Sequence, residues 1–311
     1  MTRPTRLLIA LAVWLALAQC AREVVIDLPE EEPKIVAICH FTDQQHFRLN
    51  LAFSQSVNDG TAAQMPQNVD ATLSINGGFY DKLYRETSDK GELFWRSHNQ
   101  KLARAGTEYA LVVRVPGYPT AQASSRIPAH VSLDKIVLNP ATITTKPLAD
   151  GLSELRVPLE LRLSELPAEG RFFAFSLFHE TDVYESLAPP ILDYTREDAT
   201  NFLADGRTIS LLHNIPEPVV LVNENFWDEN RRTLYLTARI PFDPETDRPR
   251  RIFVEWRTLS EEFYRYHLSL SRQSGNLPLS DPDAVFNNVD GGYGNFSGYS
   301  VSMDTVQIPT F

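Results

Sequence analysis

The feature that most narrows the fold of this chain is a two-residue rhythm of apolar and polar side chains. Leu155, Val157, Leu159, Leu161 and Leu163 interleave with Arg156, Pro158, Glu160 and Arg162. The same alternation runs through Phe47 to Phe53, Val69 to Ile75, Leu234 to Ile240 and Ile252 to Trp256. Successive side chains of an extended strand point to opposite faces, so each run predicts a strand with one face on a core and the other toward water. Pro158 has no N–H to give to a ladder, which predicts that its strand lies on an edge. Turn residues punctuate the runs at Asn58-Asp59-Gly60, Asn76-Gly77-Gly78, Asp89-Lys90-Gly91 and Asp205-Gly206. Many short strands separated in this way predict an all-β fold of β-sandwich or barrel-like domains, of which two β-sandwich-like domains are the reading adopted.

One segment breaks the rhythm. Ser260 fits an N-cap, and Glu261 and Glu262 follow it in the first turn, where the helix dipole favours negative charge. Phe263, Tyr266, His267 and Leu270 then recur at helical spacing. An amphipathic helix is expected over about residues 260–272, packed on a sheet. Tyr118-Pro119 to Pro128 reads as a connector, which divides the chain into an N-terminal sandwich over 34–128 and a C-terminal β-rich domain over 129–311.

The first nineteen residues follow another logic. Arg3 and Arg6 precede an apolar run from Leu7 to Ala18, and Leu17-Ala18-Gln19 leads into Cys20. The run is shorter than the roughly 20 residues a spanning helix needs. A short basic segment, a short apolar core and a small-residue exit form a secretory pattern. A Cys directly after it is where a lipoprotein is cut and acylated. Residues 1–19 are therefore read as a lipoprotein signal peptide, Cys20 as the lipid attachment site and 20–33 as a tether carrying Glu30, Glu31 and Glu32. Gln19 departs from the Gly, Ala or Ser usual before such a Cys, and an ordinary cleaved signal is the alternative.

Loss of residues 1–19 takes Arg3 and Arg6 with it and moves the net charge from −11 to −13. So acidic a chain is a poor partner for nucleic acid, which demands clustered Lys and Arg. Membrane attachment would fall to the acylated Cys20, through palmitate or similar chains. The other cysteine, Cys39, lies in the apolar run Ile35 to Cys39 and reads as a buried small hydrophobe.

No motif names a reaction. His179-Glu180 opens like a zinc-protease motif, but Val183 stands where the second His belongs. Gly294-Asn295-Phe296-Ser297-Gly298 has Phe296 where a nucleophile elbow has its Ser. Asp243, Glu245 and Asp247 are spaced like calcium ligands, but Arg248 replaces the needed Gly, so a charged hairpin loop is expected. The histidines at 40, 46, 98, 130, 179, 213 and 267 show no ligand spacing, although His40 and His46 straddle a hairpin and could face each other. No catalytic residue, metal site or cofactor is predicted. Aromatic residues carry the binding expectation: Tyr80, Tyr84, Phe94 and Trp95 in the first domain, and Tyr293, Phe296 and Tyr299 in a Gly-rich run. Tyr293, Phe296, Tyr299 and Trp95 are the candidate binding residues, with core filling as the alternative.

The C-terminal region carries the most specific pattern. Leu268-Ser269-Leu270 precedes Asn276-Leu277-Pro278-Leu279-Ser280-Asp281-Pro282, then Val285-Phe286-Asn287-Asn288-Val289-Asp290 and Gly291-Gly292-Tyr293-Gly294-Asn295-Phe296-Ser297-Gly298-Tyr299. With Val25 to Pro29, Pro33 to Ala37, Asp70 to Ile75, Tyr109 to Val113 and Ala204 to Arg207, in that order, it resembles a lipoprotein family known as domain of unknown function 4249, abundant in Bacteroidota. The resemblance implies a first sandwich of immunoglobulin or transthyretin type. It also implies an outer-membrane lipoprotein with relatives beside TonB-dependent receptors, and no established catalytic residues. The expected function is a non-enzymatic accessory or ligand-binding partner of such a receptor, on an undecided face of the membrane. A structural, envelope-assembly lipoprotein is the alternative, and a hydrolase with dispersed carboxylates is a further one.

Overall fold

The computed structural model describes residues 32–55, 64–97, 99, 101–163, 172–181, 187–194, 199–203, 218–223, 226, 232–273 and 284–310. The signal segment, Cys20, most of the tether and the turns at Asn58 and Asp205 lie outside the described residues. The described fold is all-β with one α-helix, in two sheets packed as sandwiches, as the alternation predicts.

The strands are β1 (Ile35–Thr42), β2 (Arg48–Phe53), β3 (Asp70–Ile75), β4 (Gly78–Thr87), β5 (Leu93–Ser97), β6 (Glu108–Arg114), β7 (Ala121–Arg126), β8 (Leu133–Leu138), β9 (Thr144–Pro147), β10 (Ser153–Leu163), β11 (Phe173–Thr181), β12 (Leu187–Ala188), β13 (Ile191–Tyr194), β14 (Ala199–Leu203), β15 (Pro218–Val222), β16 (Thr233–Phe242), β17 (Pro249–Leu259) and β18 (Tyr293–Gln307), with helix α1 (Glu261–Gln273) between the last two. The large sheet runs β14-β15-β11-β17-β18-β1-β2-β5-β4-β3-β6-β7, and β12 pairs with β11. The smaller sheet runs β13-β16-β10-β8, with β9 also on β10.

Two hydrophobic cores result. The first gathers Ile35, Ala37, Cys39 and Phe41 of β1 with Leu49, Leu73, Tyr109, Leu111 and Trp95 from the strands that follow. The second lies between the sheets and combines Leu155 to Leu163 of β10 and Leu234 to Ile240 of β16 with Phe173, Phe175, Ile252, Val254 and Trp256. Each fully buried Leu, Ile or Phe contributes about 1.5–3 kcal/mol of transfer free energy, so the alternating face sets the register of each strand. The chain leaves the first core at Ile127 and joins the second at Val131 and Leu133.

β18 belongs to both sandwiches. Tyr293 to Tyr299 pair in parallel with Val36 to Thr42 of β1. Tyr299 to Gln307 pair antiparallel with Leu259 to Arg251 of β17. The first sandwich is thus completed by the last strand of the chain, and Phe296 and Val289 sit in its core. β7 comes back against this end of the chain through the bridge from Gln122 to Asp290, just before β18, and the bond from Gly298 N of β18 to Ser125 Oγ at 3.3 Å.

This closure explains the glycines. A Cβ on Gly294 would overlap the Ala37 carbonyl oxygen of β1, and one on Gly298 would come within 2.5 Å of the Arg126 oxygen of β7. Gly294 also has φ +124°, which a side chain rarely tolerates. The close approach that the Gly-rich run permits is to the protein's own strands.

One local expectation is corrected. Pro158 is not on an edge strand: β10 pairs with β16 on one side and with β8 and β9 on the other. The β9 ladder stops at Arg156 and the β8 ladder starts at Leu159, so Pro158 falls in the gap where no donor is required. The helix starts as expected: Ser260 Oγ accepts from Phe263 N at 3.3 Å.

Substituting Gly294→Ala or Gly298→Ala is expected to cost about 3 kcal/mol or more, because rigid backbone, not a movable side chain, occupies the space. Gly117→Ala, where nothing lies within 4 Å of the added carbon, should cost only the backbone strain of ~1–2 kcal/mol. Urea unfolding of the full chain measures the difference, and equal losses at the three positions would contradict the close-crossing account.

Candidate functional site

The outer face of the smaller sheet is built by the residues that the alternation turns away from the core. On β10 these are Arg156, Pro158, Glu160 and Arg162, and on β16 they are Tyr235, Thr237 and Arg239. Register sets Pro158 opposite Thr237, Glu160 opposite Tyr235, and Asp193 of β13 opposite Thr237. Where β8 departs and β9 has not yet joined, a single 3-10 turn at Pro140–Thr142 closes the gap, capped by Asn139 Oδ1 accepting from Ala141 N at 3.1 Å. A recess of about 500 Å³ opens there, lined by Val137, Asn139, Pro158, Asp193, Tyr235 and Thr237 among others. That volume falls within the range of small-molecule sites.

The rim is charged in balanced pairs. Arg162 Nε donates to Glu160 at 3.0 Å, and Arg239 Nη1 reaches Asp193 at 3.4 Å. Beyond them Glu154 lies between Arg239 Nη2 at 2.9 Å and Arg156 Nε at 2.8 Å, and their hydrogen bonds hold its carboxyl below the usual range. Tyr235 stands among these groups 64 % exposed. The alternation pattern carries the only signal of it: a large aromatic at a water-facing position between Leu234 and Leu236.

The aromatic residues singled out from sequence divide between core and surface. Phe296 is fully buried beside Phe41, with ring centroids 4.5 Å apart. Tyr299 packs on Phe263 of α1 at 5.3 Å. Trp95 is buried in the first core, and Phe94 lies under the Arg48 guanidinium. In these three of the four candidate binding residues, core filling accounts for the ring. Tyr293 keeps an exposed ring, with Lys34 Nζ donating to its hydroxyl at 3.1 Å. Tyr80 donates to the Leu102 oxygen at 3.0 Å, and burial pushes its phenol up to about 12. Tyr84 and Trp95 do come together, at a smaller recess of about 220 Å³ with Pro66 and Asn68.

The other sequence candidates have structural uses. Glu180 at the end of β11 binds Arg251 Nη2 at 2.7 Å, which helps hold its carboxyl down. Asp243 accepts from Glu245 N at 2.9 Å in the hairpin loop after β16. Burial drives the Cys39 thiol far above its ordinary value, so it stays protonated. Among the described residues no group of three or more His, Cys, Asp or Glu could hold a metal ion.

A polar cluster lies beneath α1, on the opposite face of β1 from the first core. His40 of β1 meets His267 of α1 edge-on, with ring centroids 4.8 Å apart, and both touch Phe263 and Tyr266. On β17 the fully buried Arg257 donates through Nε to Glu255 at 2.7 Å. Sequence spacing could not show this meeting, because β1 lies far along the chain from β17 and α1.

Two face-packed sheets, with β18 shared between the two sandwiches and a recess on the outer face of the smaller sheet, define an all-β sandwich protein. Residues 21–305 match a family described as a domain of unknown function (DUF4249), and the chain belongs to that family. No curated protein matches it.

Burial holds His267 well below the ordinary 6.5, helped by the positive charge of Arg257 and the neighbouring His40. Because the folded value lies under the unfolded one, its contribution to stability is complete above 6.5 and is lost as pH falls below it. Between about pH 7.5 and about pH 5 the melting temperature should fall more for the wild type than for His267→Leu. Parallel falls in the two proteins would contradict this role.

Proposed function

We propose that the protein is a lipid-anchored outer-membrane binding protein that works, without chemistry of its own, as an accessory or ligand-binding partner of a TonB-dependent receptor. The observation that carries the reading is Cys20, placed directly after the apolar run Leu7 to Ala18. Membership of the DUF4249 family agrees with it, and no helix among the described residues is long and apolar enough to cross a membrane. β1 begins at Ile35. The stretch from Cys20 to that point can reach at most roughly 50 Å at ~3.5 Å per residue.

Tethering is the mechanism. An anchored protein meets a receptor in the same bilayer at high effective concentration, so a modest contact is enough to hold the pair. Several acyl chains at ~0.8 kcal/mol per buried methylene make release from the membrane negligible. The recess on the smaller sheet supplies the surface on which a ligand would be held.

Cys20→Ser should abolish incorporation of labelled palmitate and move the chain from the membrane to the soluble fraction. Wild-type protein drawn from detergent-solubilised membranes should bring an outer-membrane receptor with it. Labelled, membrane-bound protein that recovers no such receptor would overturn the accessory reading and favour an envelope-assembly role.

A further inference from the structure

We infer that the recess between β8, β10, β13 and β16 is a binding site for a neutral saccharide. The inference deepens the reading of the protein as a ligand-binding accessory and rests on it.

Three features of the recess select this ligand class. The first is the Tyr235 ring, which is 64 % exposed on a strand whose neighbouring side chains Leu234 and Leu236 are buried. Its π face carries partial negative charge and attracts weakly positive C–H groups, and one face of a pyranose ring is a plane of C–H bonds. The second is the polar surround. Glu160 and Asp193 are about one-third and one-half exposed. A carboxylate has about four lone-pair sites, so the two bonds from Arg162 to one oxygen of Glu160 and the single bond from Arg239 to Asp193 leave acceptors for hydroxyl donors. Thr237 and Asn139 line the same recess and add a hydroxyl and an amide. Sugar hydroxyls both donate and accept, and a surface that offers both kinds of partner suits them.

The third feature is charge balance. The charged residues of the lining, Glu160 and Asp193, are each paired with an arginine outside it, Arg162 and Arg239. Neither carboxylate therefore stands as an uncompensated charge to draw in a cation, and no cationic side chain among the described residues lines the recess to hold an anion. Pro158 lines the recess, has no N–H to give and sits where the ladders of β8 and β9 leave β10 unpaired on that side. An extended peptide would need free backbone donors and acceptors there to add as a strand, and proline denies it the donor. The volume of about 500 Å³ accommodates a ligand of one or two rings.

The test is binding of the full-length protein, in a detergent without a sugar headgroup, to an array of printed neutral oligosaccharides (glucans, mannans, xylans and chitin fragments) beside uronic-acid and sulfated ones. The wild type should retain at least one neutral glycan. Tyr235→Ala should weaken that binding by at least about tenfold, Tyr235→Phe should preserve it, and Asp193→Asn should weaken it less than loss of the ring. Phe79→Ala, at the β3–β4 turn of the other sandwich, should leave it unchanged. Tyr235 is mostly in water, so the variant should melt with the wild type, and an unchanged melting temperature separates lost contact from lost folding. Retention of charged glycans only, no retention at all, or equal binding by Tyr235→Ala would overturn the inference. A chain that is acylated and recovers its receptor but binds no neutral glycan would sink this site while leaving the accessory reading in place.

Discussion

The structure depends on one strand serving two sandwiches. β18 lies between β1 and β17, its first half beside the N-terminal strand and its second half in the sheet that covers the second core. It contributes to every apolar cluster it passes: Phe296 fills the first core, Val306 packs against the second, and Val301 and Tyr299 form the apolar seat of α1. A strand squeezed between β1 and β7 has no room for side chains on the crossing, and this is why Gly294 and Gly298 stand where they do. The two halves of the chain are therefore coupled through backbone contact, by long-range pairing of the kind that slows folding.

Charge inside the fold is handled by local neutralisation. Arg257 and Glu255 are both buried on one strand and bonded to each other. Glu154 has two arginines, Glu180 is reached by Arg250 and Arg251, and Asp81 is held by Ser97, Asn99 and the Lys82 N–H. An unpaired buried carboxylate would cost several kcal/mol. The arginine hydrogen bonds hold the Glu154 and Glu180 carboxyls below the usual range, which suits a structural role more than proton transfer. His267 differs, held well below its ordinary value by burial among rings.

Strand placement was legible because burial on one face forces alternation, and the helix was legible from Ser260 and the acidic first turn. The shared strand was not, because parallel pairing of residues near 36 with residues near 293 leaves no local trace. For the same reason the Gly-aromatic run suggested an external partner: sequence shows that a backbone is closely approached but not by what. Pro158 misled in a related way. The rule that proline avoids central strands is a rule about the missing donor, and a gap between two short partner strands satisfies it as well as an edge does. Tyr235 escaped notice because one exposed aromatic in a strand has no periodicity of its own.

The segments that carry the family resemblance and the residues that build the recess occupy different parts of the fold. Asp70 to Ile75, Tyr109 to Val113 and Gly291 to Tyr299 lie in the strands of the first sandwich and its closure. The recess is made by outward-facing residues of β10, β13 and β16 and by one turn, none of them among those segments. A change at Tyr235 or Asp193 removes surface contacts and leaves the transfer free energy of the core untouched, since surface positions shift stability by only about 0.5 kcal/mol. A change at Gly294 alters backbone packing shared by both sandwiches. In a scaffold built this way, the contacts that define the fold and the exposed side chains of the recess can be altered independently.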